Sequence, residues 1–425
     1  MLLSLPTGRC DCQILAIRTY SSQERVAGRP PRGSETVVQG TQMRAHLCGI
    51  QTAWTDASDA REAVCAVAAI LDRTAIGHLL VFFAPAYATA DLTAAIAEQF
   101  PGVGLAGCST SGGICPAGAI DRGFVVIAFP HEGFRIVSDV LTEIDRLDVE
   151  TTASSVRALR RTLDQNRPDR DPGPRFALSL IDALANAEET VVSAVAWALD
   201  GIPLVGGSAG DDLAFAGTVL IHNGAIHTNA AVLILVETDF PIRIFKSDNF
   251  EPTSQKFVVT AASEENRRVH ELNAEPAARE YAMAVGLDPE HLTPMSFAAY
   301  PLAVKIGGEY YCRSISRLDE DGSLTFFCAI SEGAVLTLAQ PRDIVEATRA
   351  ELASLDTALG GIDVVIGFDC VLRRLDAESR QVHHKISDLY RHYGVVGFET
   401  YGEQYRSMHL NQTFTGIAIG RGRSA

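Results

Sequence analysis

Apolar and polar positions follow the same order in two segments of the N-terminal half. Residues 79–113 and 176–212 each contain an apolar run of strand length, a loop, an amphipathic helical stretch, a glycine turn, a second short apolar run and a glycine/serine loop. Each segment is followed by a further apolar run, GFVVIAF (123–129) or AAVLILV (230–236). Runs of this length predict buried strands, and the spacing between them predicts a helix.

The two segments align position by position, which indicates an internal duplication. The shared positions are Gly102 with Gly201, Val103 with Ile202, Leu105 with Leu204, Gly107 with Gly206, and Ser109 with Ser208. The duplication predicts an N-terminal α/β domain built from two units, at about residues 79–130 and 176–237.

The pattern changes in the C-terminal half. Residues 297–339 hold short alternating runs separated by the turn pairs Gly-Gly and Asp-Gly, which is typical of an antiparallel meander. Helical stretches and apolar runs follow up to residue 420. The fold class predicted for the whole chain is therefore α/β, with two duplicated units followed by a mixed α+β domain with antiparallel strands.

Three segments divide the chain. Residues 21–42 are polar, aperiodic and contain glycine and proline, so residues 1–54 are predicted to be a disordered leader. A capped, alanine-rich helical pattern begins near residue 56. The two domains are predicted at residues 55–268 and 269–420.

Charge and composition restrict the classes of partner. The formal net charge is −16 with dispersed arginines, which argues against nucleic-acid binding. No apolar run approaches the ~20 residues that a membrane span needs, so we expect a cytoplasmic protein that does not enter the membrane. Nine cysteines without a CxxC pair suit reduced thiols, and Cys10 and Cys12 are a weak candidate for zinc binding.

The sequence LAGCSTSGGI (105–114) raises the question of whether Cys108 is a nucleophile on a sharp turn. Cys108 aligns with Gly207, and a nucleophile is not expected opposite a glycine in a duplicated unit. Two interpretations of the glycine loops stay open: a nest of N–H groups that binds a ligand, or a tight packing contact. The candidate ligand-loop residues are Gly107, Ser109, Gly113, Gly206, Gly207 and Ser208.

Two acidic positions adjoin these loops. Asp211 follows the second glycine loop, and Glu403 follows Gly402. Such carboxylates bind a cation or the amino group of a ligand, or perform acid–base chemistry. The alternative for Asp211 is a turn or helix cap.

Several segments together resemble a known family. PLVGGSAGDD, VHELNAEPAAREYA, DGSLTFFCAISEG, GFDCVLRR and GFETYGEQYRSMHLNQTFTG are similar to FIST-domain proteins, which have an N-terminal and a C-terminal FIST module. The resemblance covers about residues 55–420 and implies an intracellular sensory protein for small ligands. KSDNFEP, GGEYYCRSI and TYGEQYRSMHLNQTFTG resemble the NosP type, haem-binding nitric-oxide sensors that act on histidine kinases or cyclic-di-GMP enzymes.

That resemblance implies haem b as cofactor, nitric oxide as ligand and such an enzyme as partner. A homodimer is a common default for signalling proteins. His409 lies in an aromatic-rich stretch and is the first candidate for the axial ligand of the haem iron, with His270 second. Tyr401 and Arg373 are candidates for the propionates. A strand-end histidine hydrogen-bonded to a loop is the alternative for His409, and Cys312 is an alternative thiolate ligand.

Two other functions stay open. The first is a haem-free FIST sensor of an amino-acid-like metabolite, which would use the glycine loops and Asp211. The second is a small-molecule enzyme that uses Cys108 or the pair Asp211 and Glu403. Because the sequence lacks the recognised hydrolase, metalloprotease and nucleotide-binding motifs, we expect no enzymatic activity.

Overall fold

A computed structural model describes residues 18–20, 35–38, 40–165 and 172–422 of the chain. Its elements form four sheets flanked by helices. Three of these sheets share one architecture, and the fourth belongs to a segment inserted into the third unit.

The first unit spans the elements up to residue 130. Its strands and helices are β1 (Arg18–Tyr20), β2 (Glu35–Val38), β3 (Thr41–Ala45), β4 (Gln51–Thr55), α1 (Ala60–Ile70), β5 (Ile76–Phe83), α2 (Thr89–Gln99), β6 (Gly104–Ser109), β7 (Gly113–Cys115), β8 (Gly118–Ile120) and β9 (Phe124–Pro130). β5 pairs with β6 in parallel and with β9 antiparallel. This strand–helix–strand arrangement is the one that the repeat predicted.

The second unit repeats that arrangement. Its elements are β10 (Phe134–Thr142), α3 (Val149–Gln165), β11 (Arg175–Ile181), α4 (Glu188–Leu199), β12 (Leu204–Ser208), β13 (Leu220–His222), β14 (Ala225–His227) and β15 (Ala230–Thr238). β11 pairs with β12 in parallel and with β15 antiparallel. The predicted duplication is therefore present in the fold.

The inserted segment forms the eight-stranded sheet. It contains, after β16 (Ile242–Asp248), the elements β17 (Phe250–Ser263), β18 (Arg268–Leu272), β19 (Glu275–Pro276), α5 (Ala277–Val285), α6 (Pro294–Ala299), β20 (Leu302–Ile306), β21 (Glu309–Arg313), β22 (Ile315–Leu318), β23 (Leu324–Phe326) and β24 (Val335–Pro341). β20 and β21 are joined at Gly307-Gly308, and β22 and β23 at Asp321-Gly322, and all strand pairs in this sheet are antiparallel. The predicted meander is confirmed.

The remaining elements complete a third unit that the sequence did not reveal. They are α7 (Ile344–Ala358), β25 (Ile362–Cys370), α8 (Val371–Ser379), α9 (His383–Tyr393), β26 (Val395–Thr400), β27 (Glu403–Tyr405), β28 (Met408–Leu410) and β29 (Thr413–Gly420). β25 pairs with β26 in parallel and with β29 antiparallel, and β16 pairs with β29. The third unit thus consists of β16 and β25–β29, with the antiparallel sheet between them.

The three units exchange hairpins in a cycle. The hairpin β7–β8 joins the third sheet, β13–β14 joins the first, and β27–β28 joins the second. Side chains from all three sheets, among them Ile127, Val232 and Ile417, form one buried cluster. Pairing of β16 with β29 and this common core join the two predicted domains across residue 268.

The predicted leader differs from the structure over its last part. Residues 41–54 contribute β3 and β4, and every residue of β4 is buried between β3 and β9. His46, within the same stretch, is buried and contacts the Asp363 carbonyl oxygen through Nδ1 and Thr52 through Nε2. These strands are short and have no long apolar run, because pairing with neighbouring strands is what buries them. Cys10 and Cys12 lie outside the described residues.

Candidate functional site

The ends of the three parallel strands β6, β12 and β26 meet in the middle of the molecule. Their backbones close a ring of hydrogen bonds, here called the central ring: Gly210 N to Ser109 O (3.1 Å), Tyr401 N to Ser208 O (3.2 Å) and Ser111 N to Glu399 O (3.1 Å). The glycine loops predicted from the sequence are part of this ring or adjoin it.

The glycines of these loops are packed against neighbouring strands. A Cβ on Gly207 would lie 2.5 Å from Thr400 Cγ2 and 2.9 Å from Phe398 Cζ, and one on Gly113 would lie 2.9 Å from Ile120 Cγ1. Gly107 and Gly206 approach the backbone carbonyl oxygens of Val81 and Ser179 too closely for any side chain. Of the two interpretations that the sequence left open, this geometry favours the packing contact.

Cys108 lies within this packed region. It is buried, and burial raises the pKa of its thiol well above the usual value. Nucleophilic cysteines require the thiolate and access to solvent. The surroundings of Cys108 provide neither.

Two buried glutamates adjoin the central ring. Glu403 accepts hydrogen bonds from the Thr400 hydroxyl and from Thr413 N (3.2 Å) and Oγ1 (2.7 Å). Burial raises its pKa to about 8 against the effect of these donors. Burial also raises the pKa of Glu399 to about 8, although Arg374 lies 2.7 Å away.

Asp211 has a structural role in this arrangement. Its carboxylate accepts hydrogen bonds from the Tyr401 hydroxyl and from Phe215 N, Ala216 N and Gly217 N. Burial alone would raise its pKa, but these donors outweigh burial and lower it. Asp211 and Glu403 have different hydrogen-bond partners.

His409, the candidate axial ligand, lies on β28 and is 2% exposed. Neither ring nitrogen has a hydrogen-bond partner, which is unusual for a buried imidazole. The ring packs against Gly402, where a Cβ would lie 2.9 Å from Nε2. Burial lowers the pKa of His409 despite the attraction of Glu188 and Glu189.

The other candidate haem residues lie apart from His409 or are occupied. His270 is half-buried on β18, in a different sheet. Arg373 is fully buried and bonds Asp369 (2.6 Å), Asn249 (3.0 Å) and Thr348 (2.9 Å). The hydroxyl of Tyr401 donates to Asp211 and accepts from Leu213 N (2.6 Å).

A pocket of about 170 Å³ opens where the second unit meets the inserted sheet. It will be called the junction pocket, and its lining is Ala183, Leu184, Asn186, Glu188, Phe215, Asn266, Arg267, Ser316, Arg317, Thr325, Phe326, Phe327 and Tyr401. The second unit, the inserted sheet and, through Tyr401, the third unit contribute to it.

A buried ion pair forms one wall of the junction pocket. Arg267 Nη2 lies 2.5 Å from Glu188 Oε2 and 2.8 Å from Glu189 Oε2, and its Nη1 donates to the Phe327 carbonyl oxygen at 2.7 Å. Nε of Arg267 is buried without a hydrogen-bond partner. The wall therefore contains a paired carboxylate and a guanidinium group whose Nε has no hydrogen-bond partner.

Three aromatic rings form the opposite part of the pocket. Phe215 stacks on Tyr401 with centroids 5.0 Å apart and planes inclined by 23°. The centroid of the Phe327 ring lies 6.1 Å from the centroids of the Phe215 and Tyr401 rings. The pocket thus combines charged, polar and aromatic surfaces, which is typical of small-ligand sites.

Models of two known protein domains match consecutive segments of this chain. The model of the FIST N domain matches residues 78–275, and that of the FIST C domain matches residues 277–406. The chain belongs to the family of FIST-domain proteins. FIST domains are sensor domains of signal transduction, so a sensory role follows for this FIST protein.

Other comparisons add little about this FIST protein. No curated protein matches it. Among solved structures, cyanuric acid hydrolase from A. caulinodans matches with 7% identity and a TM-score of 0.38, over 88% of this chain and 99% of that chain. A similarity of this degree carries no functional inference. Among the described residues, no helix has the length and apolar character needed to cross a membrane.

The residues of this FIST protein do not fit a haem in the conformation described. The unpartnered nitrogens of His409 suit an axial ligand, but Gly402 packs directly against the ring. The junction pocket is smaller than the ~300–1,000 Å³ typical of ligand and cofactor sites, and Arg373 and Tyr401 are bonded elsewhere. Within the described part of the chain, no three His, Cys, Asp or Glu side chains are grouped to hold a metal ion.

Sequence reasoning missed the pocket wall of Glu188, Arg267, Phe215 and Phe327. Arg267 follows Glu-Glu-Asn in a charged turn, a pattern typical of a solvated surface. Its partner Glu188 precedes it by 79 residues. The pair Glu188 and Glu189, at the start of a predicted helix, is the one sequence feature that could have indicated this wall. Such a pair is explained equally well by the favourable interaction of acidic side chains with a helix N-terminus.

Proposed function

We propose that this FIST-domain protein senses a small polar metabolite that binds in the junction pocket, and that it is not an enzyme. The observation that carries the proposal is the buried Glu188–Arg267 pair in the pocket wall, in which Nε of Arg267 has no partner. Burying a polar group without a hydrogen bond costs free energy. A ligand oxygen that accepts from this N–H would remove that cost.

The charges of the wall favour a zwitterion of amino-acid size. Glu188 is a buried carboxylate and attracts an ammonium group, while Arg267 and Arg317 attract a carboxylate. The pocket volume of about 170 Å³ suits a molecule with few non-hydrogen atoms. This supports the amino-acid-like ligand that the sequence left as an alternative to haem, at a different place from the glycine loops.

A sensor needs a partner that receives its signal. The resemblance to the NosP type suggests a histidine kinase or a cyclic-di-GMP enzyme, and we retain that suggestion as part of the proposal. The proposal assigns no catalytic step, because Cys108 is enclosed in the packed centre and Asp211 is committed to four hydrogen bonds.

The test is a thermal-shift and calorimetric screen of the twenty free L-amino acids, one at a time. We expect at least one to raise the melting temperature of the wild type and to bind at least tenfold more weakly to Glu188→Gln, because a charge-assisted contact of ~1.5–3 kcal/mol is lost. The matched control is Glu98→Gln, an exposed glutamate on α2. Equal binding to Glu188→Gln, or no binding by any amino acid, contradicts the proposal.

Haem is the second candidate, favoured by the resemblance and by the unpartnered imidazole of His409. Its test is the absorption spectrum of ferrous protein purified with haem supplied, with and without nitric oxide, beside His409→Ala. A Soret band that shifts with nitric oxide and is lost in His409→Ala would replace the metabolite proposal. Absence of a Soret band in the wild type would exclude haem b.

A further inference from the structure

The loop that follows Asp211 is exposed and has an unusual backbone. Residues 214–217 are exposed, and Phe215 at their centre is 38% exposed. Asp212, Leu213 and Phe215 have φ of 56°, 63° and 50°, in the left-handed region. Residues with side chains occupy this region at a cost, so three of them within four positions must be held by other contacts.

One carboxylate supplies most of those contacts. Asp211 accepts hydrogen bonds from Phe215 N (3.0 Å), Ala216 N (2.7 Å) and Gly217 N (3.0 Å), and from the hydroxyl of Tyr401. The same hydroxyl accepts from Leu213 N at 2.6 Å. The loop conformation therefore depends on Asp211 and Tyr401 together.

The loop also covers the junction pocket. Phe215 lines the pocket and stacks on Tyr401, which lines it as well. A side chain that is partly exposed on one side and faces the pocket on the other lies at the pocket mouth. Movement of Phe215 would change access to the Glu188–Arg267 wall.

We infer that residues 212–217 are a lid of the junction pocket, closed by the stacking of Phe215 on Tyr401 and by the hydrogen bonds of Asp211, and that the lid opens to admit ligand. This inference rests on the proposed function for the identity of the ligand. Opening separates Phe215 from the Tyr401 and Phe327 rings but releases the strained backbone. Because residues 214–217 are exposed, we place the lid in the low-stability part of the fold.

The lid has a direct connection to the central ring. Asp212 lies 2.8 Å from Arg374 Nη2, and Arg374 Nη1 bonds both Glu399 and the Ser111 carbonyl oxygen. Opening the lid withdraws one carboxylate from Arg374. A ligand that binds only beneath the closed lid would therefore favour one state of this arrangement over the other, which a sensor requires.

Access to the pocket is measured with a thiol placed inside it. Ala183 is a buried lining residue, and Ala183→Cys is modified with methyl methanethiosulfonate and followed by peptide mass spectrometry. We expect Asp211→Ala to raise the modification rate by roughly ten- to a hundredfold, since hydrogen bonds to a charged acceptor are lost. Phe215→Ala should raise it too. The control is Glu98→Gln, an exposed position on α2 outside the lid and the pocket lining, which should leave the rate unchanged.

Hydrogen exchange of the wild type tests the lid without any substitution. The amides of Leu213, Phe215, Ala216 and Gly217 should exchange together, at least about a hundredfold faster than those of Ser208 and Gly210, which are bonded within the centre. Exchange as slow as in the centre, or a labelling rate indifferent to Asp211 and Phe215, overturns the lid. Neither measurement uses a ligand, so the failure of the amino-acid screen would contradict the proposed function and leave the lid intact.

Discussion

The central ring and the junction pocket are built from neighbouring residues but differ in packing. At the central ring, glycines remove side chains so that three strand ends approach one another closely. At the junction pocket, the paired side chains of Glu188 and Arg267 form one wall of a cavity of about 170 Å³. Tyr401 belongs to both, through its backbone and its side chain respectively.

This difference shows what a glycine-rich loop means in this fold. Glycine permits close approach either of a ligand or of another strand. Here the three-unit architecture supplies the second strand in each case, since every parallel strand end receives a hairpin from another unit. The pocket lies instead at the boundary between the second unit and the inserted sheet, and there we propose that the ligand binds.

The largest expected effect comes from filling the centre. In Gly206→Ala the new methyl group would overlap the Ser179 carbonyl oxygen, a backbone atom that cannot rotate away. We expect a loss of about 3 kcal/mol or more in the free energy of unfolding, because overpacking a closed core forces the strands apart. Urea unfolding measures it.

The control for that substitution is Gly217→Ala in the exposed loop that follows Asp211, where a methyl group meets nothing within 4 Å. Its free energy of unfolding should stay within about 0.5 kcal/mol of the wild type. Similar losses for the two substitutions would show that the centre is not the more closely packed region.

A smaller effect should appear as a dependence on pH at the buried glutamates of the centre. The folded pKa of Glu403 is about 8, above the ~4.3 of an unfolded chain. Between these values the folded state holds a proton that the unfolded state has released. The stabilising contribution is thus complete below pH ~4.3 and is lost as pH rises to about 8.

Glu403→Gln removes this dependence. The neutral amide keeps an acceptor for Thr413 and a group that bonds Thr400, so the variant should resemble the wild type at pH 5 and exceed its stability at pH 9 by on the order of 2 kcal/mol. Urea unfolding at several pH values measures the difference. Glu399 retains its own contribution, so the slope should decrease without vanishing. Parallel profiles of variant and wild type would show that Glu403 is charged in the folded protein at neutral pH.

The sequence predicted the local elements well and the third unit not at all. The first two units have uninterrupted strand–helix–strand order, so their periodicity and their glycines align. In the third unit β16 is separated from β25 by the inserted sheet, and two helices, α8 and α9, lie between the parallel strands. Pattern matching at a fixed period cannot detect such a unit, because only strand pairing brings it together.

The candidate site was predicted only in part for a related reason. The sequence indicates Tyr401 as a residue that binds a ligand carboxylate, and Tyr401 does line the junction pocket. It gives no such indication for Glu188, Arg267 or Phe215. Glu188 and Arg267 are 79 positions apart, and Phe215 contacts Tyr401 from a still larger distance along the chain. The spacing of residues in the sequence therefore cannot predict a pocket whose walls come from separate units.

The smallest expected effect concerns Cys108, whose substitution distinguishes a packed centre from a catalytic one. Cys108→Ala removes one sulfur atom from a buried site and should cost about 1 kcal/mol in the free energy of unfolding. Because burial raises the pKa of this thiol well above the usual value, iodoacetamide should leave Cys108 unmodified in the folded wild type. Binding of an amino acid at the junction pocket should be the same in Cys108→Ala as in the wild type, since Cys108 does not line that pocket. Rapid alkylation of Cys108, or loss of binding in Cys108→Ala, would place the reactive chemistry at the centre and reverse the assignment of the two regions.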